Sequence, residues 1–349
     1  MAEIGEHTYS EIMSQPSTWR DALQFFASRS AALEALWRGT PADEVIFTGC
    51  GSTYYLSQVG AVLFQQLTGV PAQAYPASEL VFYPNYLADK TYLLVAVSRS
   101  GTTTETVAAA RVFRERAKGG IVGIGCYSES DLMQMTDLAL VVDSAREQSI
   151  AQTRSFSSML VIAQLMAAFL GGQGDAQALA VLPDIGQRLL TEYHQMARQL
   201  GENTQLQRFF FLGSNTRYGM ACEGMLKLKE MSLSYSEAFH TLEFRHGPMS
   251  MVNEQSLVIG LLGDTTYEHE AAVLSEMAAR GAQVLAIGSH HPTDWANAVS
   301  FGKNVPEWGR PVLYLPVLQL LAFYRALANG QNPDRPTNLE AVVSLDNLR

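Results

Sequence analysis

Short, wholly apolar runs alternate along this chain with longer stretches of helical periodicity. Tyr92–Val97 (YLLVAV) has no charged position, the pattern of a strand buried on both faces of a parallel sheet. Comparable runs predict strands at Glu44–Thr48, Gln73–Tyr75, Ile121–Gly125 and Leu138–Val142, then at Arg208–Leu212, Ser256–Leu262 and Gln283–Ile287. Helices are predicted at about Tyr9–Trp37, from the turn at Gly49 to Leu67, and at Thr102–Lys118, Thr153–Leu170 and Asp175–Leu200. Further helices are expected at Arg217–Leu233, Tyr267–Arg280 and Val312–Ala328, before an irregular tail. Gly119-Gly120, after basic residues, reads as a helix stop.

The pattern occurs twice. Val45–Tyr54 (VIFTGCGSTY) and Phe209–Gly219 (FFFLGSNTRYG) share one layout: an apolar strand, a Gly, small hydroxylic residues and an aromatic at the start of a helix. Leu93–Thr106 is echoed by Leu257–Glu270, and Ile121–Gly125 by Val284–Gly288, 163 residues later. A repeat of this length is too long for a solenoid and fits two similar α/β domains. The expected fold is therefore α/β, with two doubly wound, flavodoxin-like parallel-sheet domains in tandem, residues 1–200 and 201–349. Ligands of such sheets bind beyond the carboxyl ends of the strands.

Composition narrows the function. With 47% apolar and 17% charged residues among 349, the chain has enough apolar material for two cores. A net charge of −10 argues against nucleic acid, which calls for a basic face. Cys50, Cys126 and Cys222 are odd in number and far apart, which suits a reducing compartment. The acidic, polar start MAEIGEHTYSE is no signal peptide. Met159–Leu170 is too short to span a bilayer, so the expectation is a cytoplasmic protein without a membrane partner. No CxxC or HExxH spacing suggests a metal, and GCGST is neither a Walker loop nor the GxGxxG dinucleotide fingerprint. No cofactor is expected.

Two segments carry candidate chemistry. Ser98-Arg99-Ser100-Gly101-Thr102-Thr103-Thr104 follows a buried strand and opens a helix, where backbone N–H groups and the helix dipole favour an anion. Six hydroxyls between Ser98 and Thr106 exceed what one helix cap needs, and Ser52 and Thr53 can complete the pocket from the neighbouring turn. The segment is read as a phosphate loop. In the second half, Glu223, Lys227 and Glu230 recur on one face of a helix that also carries Met220, Met225, Leu226 and Leu228. A solvated face is the ordinary reading of such charges; a mostly buried helix makes them paired or functional. His246, before Gly247-Pro248, falls on a loop and reads equally as structural or catalytic. Arg154 is either a phosphate ligand or a helix-surface charge.

The two repeats, SRSGTTTET, EGMLKLKEMS and EFRHGP together resemble the sugar isomerase (SIS) family from about Glu44 onward. Within that family the likeness is to the isomerase half of glutamine–fructose-6-phosphate aminotransferase and to stand-alone deaminases and deglycases. The resemblance implies a sugar phosphate held by Ser52, Thr53, Ser98, Arg99, Ser100 and Thr103. It makes Glu230 the base that moves a proton between C1 and C2; Lys227, on the same helix face, is a candidate substrate-binding residue. It makes His246, from the partner subunit of a homodimer, the ring-opening residue.

Two departures shape what is carried over. The chain begins Met1-Ala2, without the N-terminal Cys nucleophile of a glutaminase domain, so ammonia release from glutamine is not expected. The tail PTNLEAVVSLD puts Ala341 where the aminotransferase has an imine-forming Lys, so an imine through this tail is not expected, and nothing in the sequence shows Lys227 or Lys229 in its place. The expected activity is deamination of an amino sugar 6-phosphate to fructose 6-phosphate. Deglycation of a fructosyl-amine phosphate and aldose–ketose isomerisation are the alternatives. A non-catalytic sugar-phosphate sensor is a further alternative, disfavoured by the presence of both Glu230 and His246, and a nicotinamide oxidoreductase is disfavoured by its missing fingerprint.

Overall fold

A computed structural model describes residues 4–87, 89–173, 176–290 and 295–340; Ala341 lies outside them. In chain order the regular elements begin with α1 (Glu6–Met13), α2 (Gln15–Gly39), β1 (Glu44–Gly49), α3 (Ser52–Thr68), β2 (Ala72–Pro76), α4 (Ala77–Phe82) and β3 (Thr91–Ser98). They continue with α5 (Thr104–Arg116), β4 (Lys118–Gly125), α6 (Asp131–Gln134), β5 (Leu138–Val141), α7 (Arg154–Leu170), α8 (Leu182–Glu192) and α9 (His194–Glu202). The rest are β6 (Arg208–Gly213), α10 (Thr216–Ser232), β7 (Tyr235–His240), β8 (Ser256–Leu261), α11 (Tyr267–Ala279), β9 (Gln283–Gly288), β10 (Asn297–Ser300) and α12 (Leu315–Ala328).

Contacts gather these elements into two units. The first holds residues 17–147, 154–180 and Glu340; the second holds 4–16, 148–153 and 181–339. A single cut near residue 200 does not describe this division. Helices α8 and α9 group with the second unit because they pack against α12, and the N-terminal helix α1 joins them.

Each unit is built on a five-stranded sheet, in the orders β2-β1-β3-β4-β5 and β10-β9-β8-β6-β7. Every pairing is parallel. The two orders are one topology, with β6 in the place of β1 and β8 in the place of β3. Register repeats as well: Val45 opposite Leu93 in the first sheet becomes Phe209 opposite Leu257 in the second, a shift of 164 positions. Past β4 the shift is 163, as Leu94↔Ile121 becomes Val258↔Val284.

Alternation along each strand sorts its side chains between two faces. In the first sheet Ile46, Leu94 and Ala96 pack with Val107, Ala110 and Phe113 of α5, while Phe47 meets Phe64 of α3 on the other face. In the second, Phe210 and Leu212 face Phe244, Leu274 and Met277. Phe211 instead touches α10 at Gly224, where a Cβ would come within 2.9 Å of its ring.

Some sequence expectations change. The expected helix Tyr9–Trp37 is two helices, α1 and α2; of Asp175–Leu200, Asp175 lies outside the described residues and the rest is a 3-10 turn, Ala176–Leu179, followed by α8 and α9, which meet at Tyr193. The Gly119-Gly120 stop is no stop: both glycines lie inside β4, paired with Tyr92 and Leu93, and the helix before them ends at Arg116. Gly119 has φ +139, and a Cβ there would come 1.7 Å from the Tyr92 carbonyl oxygen, so strand pairing excludes any side chain at this position. The stretch Pro311–Ala328 is long and apolar enough by composition to cross a membrane, yet 83% of it is buried, as the core helix of the second unit.

The N-terminal helix is tied down within its unit. The Asp334 carboxylate accepts from the Thr8 backbone N–H at 2.7 Å and the Thr8 hydroxyl at 2.8 Å, taking donors that a helix start leaves unsatisfied. Glu11, 3% exposed, accepts from the Gln148 N–H at 2.6 Å and from the Ser149 hydroxyl.

Candidate active site

In the first unit, Ser52 and Thr53 open α3 beyond β1, and Ser98–Thr103 links β3 to α5. Since β1 and β3 are neighbours, both segments lie at adjacent carboxyl ends of the sheet. A contact of 3.6 Å between Cys50 Sγ and Thr106 Oγ1 joins them. Gly101 has φ +66, and a Cβ would come 1.9 Å from Ser130 Oγ, so the loop turns there only with glycine. The loop's hydroxyls bind one another. Ser98 Oγ accepts from the Gly101 N–H at 3.1 Å and stands 3.2 Å from Thr103 Oγ1; Ser100 Oγ accepts from the Thr102 N–H and hydroxyl at 3.2 and 3.0 Å. Such hydroxyl-to-hydroxyl bonds can be exchanged for an oxyanion by rotation about one torsion. Thr53 is committed differently: its hydroxyl donates to the Cys50 carbonyl and accepts the Cys50 N–H, each at 2.9 Å.

Arg99 is 8% exposed, and its Nη1 lies 3.4 Å from Glu147, whose side chain is fully buried. Glu147 also accepts from the Ser155 N–H at 3.1 Å and from the Ser155 hydroxyl, capping the start of α7. Nothing local in the sequence points to Glu147; its partner in the loop lies 48 residues away. Arg154 donates through Nε and Nη2 to the Arg146 carbonyl, at 3.1 Å from Nε. Cys50 sits half-buried at this turn, and burial pushes its thiol up to about 11.

In the second unit the charged stripe of α10 is not a solvated face. Lys227 and Glu223 have side chains 1% and 0% exposed, with Nζ 3.5 Å from Glu223 Oε1. Lys227 also donates to Glu230, which keeps 18% of its side chain exposed. The helix packs against α12 as well as the sheet, and that covers the stripe. Removing such charges from water costs several kcal/mol per ion, to be offset by pairing. One ammonium is thus held by two carboxylates, and one of those carboxylates reaches solvent. A carboxylate so fixed, and still partly exposed, is suited to exchanging a proton with a bound molecule.

His246 is exposed, between two 3-10 turns, Glu243–Arg245 and Pro248–Met251. Its N–H donates to the Glu243 carbonyl at 2.9 Å. These turns follow the edge strand β7, and Phe244 packs on Phe210 and Phe239, on the sheet face opposite to α10. Within one unit the fold does not bring Glu230 and His246 together.

The molecule is a tandem of parallel α/β units, one with a hydroxyl-lined loop at its carboxyl edge and one with a buried Lys–Glu cluster. The SIS domain model matches residues 40–169 and 204–306. The chain belongs to the SIS domain family. It is 31% identical to the crystal structure of glucosamine-6-phosphate deaminase from Thermotoga maritima, with a TM-score of 0.79 over 97% of this chain and 100% of that one. Tagatose-6-phosphate ketose/aldose isomerase from Escherichia coli shares the fold, with a TM-score of 0.87 at 23% identity over 95% of each chain. Glutamine–fructose-6-phosphate aminotransferase of Pyrococcus horikoshii is 29% identical over 99% of this chain. The chain spans 59% of that relative's length.

Proposed function

We propose that the protein is a phosphosugar isomerase/deaminase of the cytoplasm, acting on an amino sugar 6-phosphate such as glucosamine 6-phosphate. The match with the Thermotoga maritima deaminase, over 97% of this chain and 100% of that one, carries this reading. In the proposal Ser52, Ser98, Arg99, Ser100 and Thr103 hold the phosphate, with Thr53 shaping their turn. The self-paired hydroxyls around Gly101 support that assignment: they are donors gathered at a helix start, beside the Arg99 cation, that can turn to an oxyanion.

Glu230 is proposed as the base and Lys227 as the residue that holds it. Removing the proton from C2 of the open-chain amino aldose and returning one at C1 gives a ketimine. Water hydrolyses the ketimine to fructose 6-phosphate and ammonia. Ring opening is assigned to His246 of a second copy in a homodimer, a reading supported by its separation from Glu230 across the sheet. The test is incubation with a panel of sugar 6-phosphates, assaying ammonia and ketose separately. Ketose with ammonia from glucosamine 6-phosphate is the expected result. Ketose without ammonia from an aldose 6-phosphate would make the protein an isomerase, and amine release from fructosyl-amine phosphates a deglycase. Binding without turnover on any of them would make it a sensor.

A further inference from the structure

The duplicated topology gives the second unit a counterpart of the phosphate loop, Leu262–Thr266 between β8 and α11, and that counterpart is already full. By the shift of 164 positions, Gly263 stands where Arg99 does and Glu270 where Thr106 does. Glu270 lies in the first turns of α11 and reaches back, so that its Oε2 accepts the Gly263 backbone N–H at 2.8 Å. Its other oxygen accepts from Arg217 Nη2 at 3.0 Å. The Arg217 guanidinium comes from the first turn of α10 and packs over Gly263, where a Cβ would meet it at 2.4 Å. It also donates to Thr266 Oγ1 at 3.0 Å and pairs with Glu307 at 3.2 Å. Glu270 is 1% exposed and Arg217 6%.

A carboxylate taking a loop N–H and a guanidinium beside a helix start is arranged as a bound oxyanion would be. We infer that the second unit's loop is a self-occupied anion cradle, in which the Glu270 carboxylate takes the place of a ligand's phosphate. Two features distinguish it from an incidental ion pair. One of its donors, the Gly263 N–H, is the equivalent of the Arg99 N–H in the hydroxyl loop, and the other, Arg217, stands at the position of Thr53 at the neighbouring turn. Arg217 also keeps its Nε buried without a hydrogen-bond partner among the described residues, so the cradle holds more donor capacity than one carboxylate fills. The comparison rests on reading Ser98–Thr103 as the phosphate loop, whereas the filled cradle stands on its own distances. The consequence is one phosphosugar per chain despite two homologous loops. A latent site for a small oxyanion, phosphate or a carboxylate, is unmasked when the Glu270 side chain is removed.

The experiment measures thermal stabilisation by inorganic phosphate and by formate, with chloride at matched ionic strength as the control. Wild type, Ser98→Ala/Ser100→Ala, and that pair combined with Glu270→Ala are compared. Loss of the wild-type response in the serine pair tests the phosphate loop alone. Glu270→Ala in that background is then expected to regain a phosphate or formate response of about 2–4 °C, because the anion enters the vacated cradle. Should Glu270→Ala fail to fold, Glu270→Gln keeps an acceptor for the Gly263 N–H but leaves Arg217 with only the Glu307 carboxylate. It is expected to be stabilised by the same anions. If neither variant gains an anion response beyond its parent, the inference is overturned.

Discussion

Glu230 and His246 occupy opposite faces of one five-stranded sheet. Helix α10, which carries Glu230, covers the face of Phe211, and the turn carrying His246 follows Phe244, packed on Phe210 on the other. On the proposal that both serve one reaction in a homodimer, they come from two copies. Glu230→Gln and His246→Ala homodimers are each expected to be nearly inactive. Mixing them with subunit exchange should make about half of the dimers mixed, each with one intact site of two, restoring about a quarter of wild-type activity. Absence of recovery, with mixed dimers confirmed by mass, would place both roles in one subunit or remove His246 from the chemistry.

Glu230→Gln alone separates binding from proton transfer. The amide keeps the shape next to Lys227 and loses the basicity, so kcat should fall by about 10²–10⁴ with KM little changed. Solvent deuterium should enter the product in the wild type and not in the variant. Near-normal exchange would exclude Glu230 as the base.

The phosphate loop predicts a binding defect of another kind. Hydrogen bonds to a charged group contribute roughly 1.5–3 kcal/mol each, so Ser98→Ala with Ser100→Ala should weaken sugar 6-phosphate binding at least about tenfold. Circular dichroism should stay close to wild type, since Ser98 is the last residue of β3 and Ser100 lies in the loop after it. Unchanged affinity by titration calorimetry would move the phosphate elsewhere.

The buried pair of the second unit is expected to be structural. Arg217→Met leaves the Glu270 carboxylate buried without its main cation and should cost about 3–5 kcal/mol. Arg217→Met with Glu270→Met removes both charges and should recover much of that loss. A single variant as stable as wild type in urea would show that the pair contributes little.

The thiols give a pH dependence with a definite sign. Burial pushes Cys50 and Cys222 up to about 11 and Cys126 higher still. In the unfolded chain thiols ionise near 8.5. The native state therefore holds protons that the unfolded state has released, and stability should be complete below about pH 8.5 and decline as pH rises toward 11. Iodoacetamide at pH 8 should label none of the three quickly until the protein is denatured. Rapid labelling of Cys50 in the native protein would contradict its raised pKa.

How much of this was legible in the sequence depended on whether its cause was local. Tyr92–Val97 announced a doubly buried strand, and Ser98–Thr104 a loop at a helix start, because period and residue type are local signals. Strand β7 was missed: Tyr235–His240 mixes Ser, Glu and His with aromatics and lies at a sheet edge, so only its pairing with β6 makes it a strand. Strand β10 is four residues long and also an edge. Lys227 is buried by α12, contributed by residues far downstream, and no pattern within α10 announces that cover. Glu147 and Glu270 escaped notice because a carboxylate's partner, unlike a helix's period, is chosen by the fold.

The clasp of Asp334 on Thr8 sets an order on the making of the protein. The two residues are 326 positions apart, and the ribosome delivers them in sequence. Helix α1 emerges well before the groups that cap and receive it. The sheet of residues 44–141 can close while translation continues, domains generally folding as units as they appear. The unit that carries Glu230 cannot finish until Asp334 has left the ribosome. Until then α1 lacks the carboxylate that caps it and is open to a chaperone.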